Sequence, residues 1–403
     1  MRSVDEAERR GRLARRHALL PGHQATDPVA ATRAMTVLHA TEPATVHLAL
    51  WARVPGLAAD DVDRALYDDR SLVKQLAMRR TLFVFPRDLL AAARGSASAR
   101  VAGQLSARLV KEVEAAGIAA DGHAWLDAAR RAVLAELDRE AEGLAAQALR
   151  ERLPELQGTL VVSPGKPYGG PTPVGPRVLT QLGVEGAIVR GRNEGHWRAS
   201  RPRWTRAEVW LGEETEPLPA REGYAELVRR WLTTFGPGTR TDLQWWLGST
   251  VTAVDHALAD VGAEEVALGD GATGWLLPEH HDELRPAEPW AALLPVLDPT
   301  VMGWKTRDFF LGPHAPALFD RNGNAGTTAW WDGRVVGCWV QDPDGVVIVE
   351  LLEDVPAEGR AALATEARRL TAWLDGVRIS TVYPSPAMKI ARDHAQRASG
   401  AAR

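Results

Sequence analysis

The sequence predicts an α+β chain of about three tandem winged helix-turn-helix units followed by a C-terminal β-rich domain. Three observations carry that prediction. Helix-period segments opened by capping residues recur along the first two thirds of the chain. Strand–turn–strand patterns follow them at 72–85, at 186–206 and after Asp260. From about Pro289 the character changes to short β-rich runs: LLPVLD, TTAWW, RVVGCWV and VVIVEL. The division expected from these changes is 1–90, 91–212, 213–288 and 289–403.

Ser3 followed by Glu6 has the spacing of a capping box and opens a basic helix expected to end near Pro21-Gly22. Asp27-Pro28 combines an N-cap with proline at the first helical position, starting a helix to about residue 37. After a break at 39–42, Pro43 starts another helix, with Val46, Leu48, Leu50 and Trp51 as core contacts. A short helix covers about 58–67, and a hairpin whose second strand, TLFVF, is closed by Pro86 completes the first winged unit. Helical patterns resume at about 89–116, 124–140 and 144–153. The stretch SPGKPYGGPTPVGP cannot be regular helix or central strand. AIVRG, a turn at 193–195 and HWRAS, ended by Pro202, read as a second hairpin. A helix over 224–235 is broken at Gly236-Pro237, and a second over 239–247 is closed by Gly248. A third helix, capped by Ser249 or Thr250, runs to Asp260, and EEVALGDGATGWLLP follows as its wing. An amphipathic helix over 358–374 and a final strand, VRIST, end the C-terminal module.

Composition narrows the class. With 403 residues, 45% hydrophobic and 25% charged, the chain has an ordinary globular make-up and room for several cores. No apolar run approaches the roughly 18–20 residues that cross a bilayer. The N-terminal MRSVDEAERRGRLARRH lacks a hydrophobic signal core, so no export and no membrane association are expected. Cys338 is the only cysteine, which excludes an internal disulfide and a cysteine-based zinc site and fits a reducing compartment.

Several motifs dissolve on inspection. Gly269 to Gly274 matches G-x-G-x-x-G, but Trp275-Leu276-Leu277-Pro278 follows as strand where a dinucleotide site needs a helix. Gly165-Lys166 lacks the upstream glycine and following Ser/Thr of a phosphate loop. His280-His281 and the pair His39, His47 have no third ligand at suitable spacing, so neither a metal nor a nucleotide cofactor is expected.

The net charge of −4 does not announce a polyanion binder, but its distribution does. Between Lys166 and Arg206 stand eight basic residues (Lys166, Arg177, Arg190, Arg192, Arg198, Arg201, Arg203, Arg206) and two acidic ones, Glu185 and Glu194. The helices of the predicted helix-turn-helix units are poor readers of a major groove. TVTAVDHALAD offers Asp255 and Asp260 and no cation, and PATVHLALWAR is almost wholly apolar. The basic hairpin is different: Arg190, Arg192, Arg198, Arg201 and Arg203 interleave with His196, Trp197 and Trp204. Cations contact phosphates while aromatic rings stack on or wedge between bases. DNA is therefore the expected partner.

These segments also carry a resemblance. HATEPATVHLALWARVPGL, LVKQLAMRRTLFVFP, FGPGTRTDLQWWLG, LLPVLD and NGNAGTTAWWDGRVVG stand in the order found in bacterial winged-helix DNA glycosylases of the AlkZ/YcaQ type, over roughly residues 28 to 341. The resemblance implies a concave scaffold for duplex DNA, excision of alkylated or bulky-adduct purines, and a lesion-probing hairpin best matched by 186–206. The family places Gln-x-Gln or Gln-x-Asp before its first apolar helix. This sequence has His39-Ala40-Thr41, so His39 and Thr41 are the expected catalytic pair. The expected protein is a cofactor-independent repair or self-resistance enzyme, cytoplasmic and nucleoid-associated on DNA. The alternatives are a non-catalytic DNA-binding protein, such as a lesion sensor or regulator, and winged helices used only for protein contacts.

Overall fold

A computed structural model describes every residue except 163–168, 214, 282–287 and 402–403. Lys166, the rejected Gly165-Lys166 phosphate loop and part of the Gly/Pro-rich stretch thus lie outside the described residues. The chain divides into two compact units, Met1–Asp63 with Ala225–Arg403, and Arg64–Tyr224.

The first segment opens with β1 (Ser3–Val4) and the helix Glu6–Arg16. Its cap is Asp5, whose carboxylate accepts the Glu8 N–H at 2.8 Å; Ser3 is not the cap, because it is committed to β1. Asp27 caps Pro28–Ala34 as expected, accepting the N–H groups of Val29 and Ala30 at 2.9 Å each. β2 (Leu38–His39) leads into Pro43–Trp51, a helix buried at every position from Ala44 to Trp51. Beyond that helix, Arg53 is fully buried and its guanidinium grips Asp298 with two bonds of 2.7 and 2.9 Å. Its remaining N–H groups go to Thr300 Oγ1 and to the carbonyls of His17 and Ala49, so the buried cation is satisfied all round.

The second unit begins with the expected hairpin, β3 (Leu72–Leu76) and β4 (Leu82–Pro86), paired from Leu72↔Pro86 to Leu76↔Leu82. Helices Ala99–Ala115 and Gly122–Leu137 follow, then β5 (Leu144–Ala145) and the helix Ala146–Arg152. β6 (Thr159–Val162) and β7 (Gly170–Pro173) form a separate two-stranded ribbon, where the prolines of β7 meet no central ladder. After Gly175–Glu185 come β8 (Ile188–Asn193) and β9 (Pro202–Arg206), with the sheet order β5-β9-β8. HWRAS is not the second strand. Those residues form the hairpin tip, closed by the Asn193 side chain on the Arg201 N–H at 2.7 Å, and Pro202 starts the strand instead of ending it. Leu109, Val113, Val133, Leu149, Leu182 and Trp204 belong to the core beneath.

The chain then returns to the first unit, from Ala225 on, in the helix Ala220–Phe235. Arg240–Leu247 starts with a full capping box between Thr239 and Asp242, and Val251–Asp260 is capped by Thr250. Gly238 between them has to be glycine, since a Cβ there would lie 2.2 Å from the Trp231 ring. β10 (Glu264–Leu268) and β11 (Thr273–Leu276) pair as an antiparallel hairpin, with β1 added in parallel on the β10 edge. The C-terminal sheet is antiparallel, β12 (Ala291–Leu294), β13 (Thr328–Trp331), β14 (Arg334–Gln341) and β15 (Val347–Leu351), in that order. Helices Ala357–Leu374 and Pro386–Ala401 contact this sheet. VRIST is not a strand, because Gln341 takes its backbone instead: Oε1 accepts the Ile379 N–H and Nε2 donates to the Val377 carbonyl. Among the described residues no helix is long and apolar enough to cross a membrane.

Candidate functional site

The His39–Thr41 segment is short and fixed at both ends. β2 ends on His39, and Pro43 begins the helix with its φ preset for that role. His39 is 7% exposed, Thr41 is exposed, and Thr41 Oγ1 lies 3.4 Å from His39 Nδ1. A buried imidazole and an exposed hydroxyl are thereby brought together. Thr41 does not cap the helix; the N-cap is Glu42, and its side chain makes no capping bond. Glu42, which sequence reasoning passed over, is buried and points elsewhere. Its Oε1 accepts the Thr381 hydroxyl and the Val382 N–H, while Oε2 is buried without a partner among the described residues. Burial outweighs those two bonds and holds its carboxyl above the ordinary value of 4.5.

The hairpin residues sort into three groups. Arg192, Arg203 and Arg206 are paired: Arg192 with Asp68, Arg203 with Glu194 at 2.7 Å, and Arg206 with Asp138 and Glu208. Arg203 is bound further, donating to the carbonyls of Glu142 and Gly143, so it fastens the hairpin to the loop before β5. At the tip, His196 and Arg198 are exposed and Trp197 is half-buried, with the His196 and Trp197 rings 5.2 Å apart. Arg190 and Arg201 form the third group and line one cleft with Gln147, Thr180 and Ser200. The partners from the two preceding helices were not legible in sequence, because they are brought to the hairpin only by folding.

The motifs set aside stay outside the site. Gly269 to Gly274 is the β10–β11 turn and the start of β11. Asp255 on the acidic helix is paired with Arg240 at 2.9 Å. His281 pairs with Glu264, and His280 is pushed down to about 4 by burial and then by Arg16. Cys338 is buried, which pushes its thiol up to about 12. Among the described residues no group of three His, Cys, Asp or Glu side chains is placed to hold a metal ion.

Comparison with known proteins gives these features a class. A family model described as DNA glycosylase AlkZ-like matches residues 32–373. The class is therefore the DNA glycosylases, and the chain belongs to their AlkZ-like family. Its fold resembles that of the Streptomyces sahachiroi DNA glycosylase AlkZ, with a TM-score of 0.71 and 20% identity over 92% of this chain and 98% of that one. No curated protein sequence matches the chain.

Proposed function

We propose that this glycosylase hydrolyses the N-glycosidic bond of alkylated or bulky-adduct purines in duplex DNA, with His39 activating the water and Thr41 assisting. The observation that carries the reading is the 3.4 Å approach of the Thr41 hydroxyl to the His39 ring, in the segment that the sequence resemblance matches to the family's Gln-x-Gln motif. A purine alkylated at N7 or N3 is already cationic, so it departs without a general acid. Neutral His39 takes a proton from water as the water oxygen bonds to C1′. The C1′–N bond breaks, and its electron pair neutralises the departing base. Thr41 fixes the ring or the water so that the lone pair is aimed before the sugar reacts. No metal or nucleotide cofactor enters any step.

In this reading the hairpin cations hold the DNA backbone, with His196, Trp197 and Arg198 at the probing tip and Arg190, Arg192 and Arg201 along its base, while Arg203 fastens the hairpin to the loop before β5. The helix-and-hairpin arrays act as winged helices in the segments 1–90, 91–212 and 213–288, ahead of a β-rich domain over 289–403. The chemistry belongs in the cytoplasm, where the nucleoid supplies the substrate. Incubation with duplex containing N7-methylguanine, measuring released base, tests the proposal. Release by the wild type supports it. Binding without release on any alkylated duplex would instead make the protein a lesion sensor.

A further inference from the structure

Arg190 stands apart from the paired hairpin arginines. Arg192, Arg203 and Arg206 each have a carboxylate partner, whereas Arg190 has none among the described residues. Its guanidinium lies 4.6 Å over the ring of Trp204, itself buried in the core of the Arg64–Tyr224 unit. Burial alone pushes its pKa down to about 10, with no acid to offset it. Withdrawing a cation from water without a counter-charge is unfavourable, and a ring face returns only part of that loss. An anion arriving from outside would supply the missing counter-charge.

The cleft around it has room for one. It holds about 530 Å³ and is lined by Gln147, Thr180, Ser200, Arg201 and Trp204 beside Arg190. Arg201 is exposed, and its side chain likewise has no acid partner among the described residues. The acid at the cleft, Glu194, is already committed to Arg203 at 2.7 Å. Gln147 donates one N–H to Glu151 and keeps a second, and Ser200 adds a hydroxyl.

We propose that this cleft seats a phosphodiester of the DNA backbone, gripped by the Arg190 and Arg201 guanidinium groups with Ser200 and Gln147 as neutral donors. The proposal rests on the DNA-holding role given to the hairpin above and narrows it to one seat. Guanidinium forks match the paired oxygens of a tetrahedral phosphate. Free phosphate shares that chemistry, so the test separates the two sources.

Binding of the full chain to an unmodified duplex is measured across a salt series, which makes the result independent of base release. Arg190→Gln should lower the slope of log affinity against log salt by about 0.9, one phosphate contact. Arg190→Lys should restore most of it, and Arg206→Gln, whose charge is already paired, should leave it unchanged. Arg201→Gln, at the exposed rim, carries the same test should Arg190→Gln melt early. A wild-type slope in folded Arg190→Gln, with Arg198→Gln altering it, overturns the seat while leaving the hairpin on DNA. Wild-type slopes in Arg190→Gln, Arg198→Gln and Arg201→Gln alike remove the hairpin reading itself. Inorganic phosphate raising the melting temperature of wild type and not of Arg190→Gln, with equal DNA slopes, assigns the seat to free phosphate and also overturns the proposal.

Discussion

The Glu42 carboxylate accepts the Thr381 hydroxyl at 2.7 Å across 339 positions of sequence, and takes the Val382 N–H through the same oxygen. The residue that follows His39-Ala40-Thr41 thus anchors the loop ahead of the last helix.

That anchor should titrate. The folded carboxyl keeps its proton to higher pH than in the unfolded chain, where the ordinary value is 4.5. Its stabilising contribution is therefore present at low pH and is lost as pH rises from about 4.5 through the folded value. Glu42→Gln retains an acceptor for Thr381 and removes the titration. Relative to wild type, its melting temperature should climb over that window and then hold a constant offset. Parallel melting curves at every pH would show that Glu42 is not held above its ordinary value.

His39→Ala should remove most base release while leaving DNA affinity nearly intact, because water positioning acts on the transition state. His39→Gln, restoring half of the family motif, should retain or raise activity. Thr41→Ala should cost less, and because Thr41 does not cap the helix its melting temperature should stay near wild type. Single-turnover excision beside melting curves reads all three. Full activity in His39→Ala would sink the assignment.

Arg53→Met leaves Asp298 buried without its counter-charge and should destabilise the protein by about 3–5 kcal/mol. Adding Asp298→Leu should recover part of that loss, since the double change leaves no orphaned ion. Denaturant midpoints for the two singles and the double decide it, and strict additivity would contradict the pairing.

Arg203→Ala should act on stability instead of on the salt response. The side chain is spent on Glu194 and two carbonyls, so about 1–3 kcal/mol should be lost with little change in the DNA salt slope. A drop of a full slope unit would place a phosphate at Arg203. Charge changes on Val251–Asp260 should leave DNA affinity nearly untouched.

Elements whose causes are local were legible in the sequence. Asp27-Pro28, the helix over 239–247 closed by Gly248, and the hairpin over 72–85 closed by Pro86 each carry their own signal, and each forms what it predicts. Misreadings arose where a distant partner decides. Ser3 is drawn into β1 by Ala267, Gln341 binds the backbone of VRIST, and Pro202 begins β9 because the Asn193 side chain closes the tip. The same holds at the candidate site. His39 and Thr41 stand out by position, yet nothing near Arg190 reveals that it lacks an acid while Arg192 and Arg206 have one, because Asp68 and Asp138 reach those arginines only on folding.

The split of the first unit bears on how the chain is made. Residues 64–224 leave the ribosome as an uninterrupted stretch and have their partners at hand. The opening 63 residues do not, since Arg53 meets Asp298 only after 245 further residues have been synthesised. Until then the apolar Pro43–Trp51 helix lacks the part of its cover that comes from beyond residue 225, such as the Val296 carbonyl that Thr45 donates to. Slow refolding of the whole, with the middle segment regaining its structure first, is the kinetic order expected of this topology.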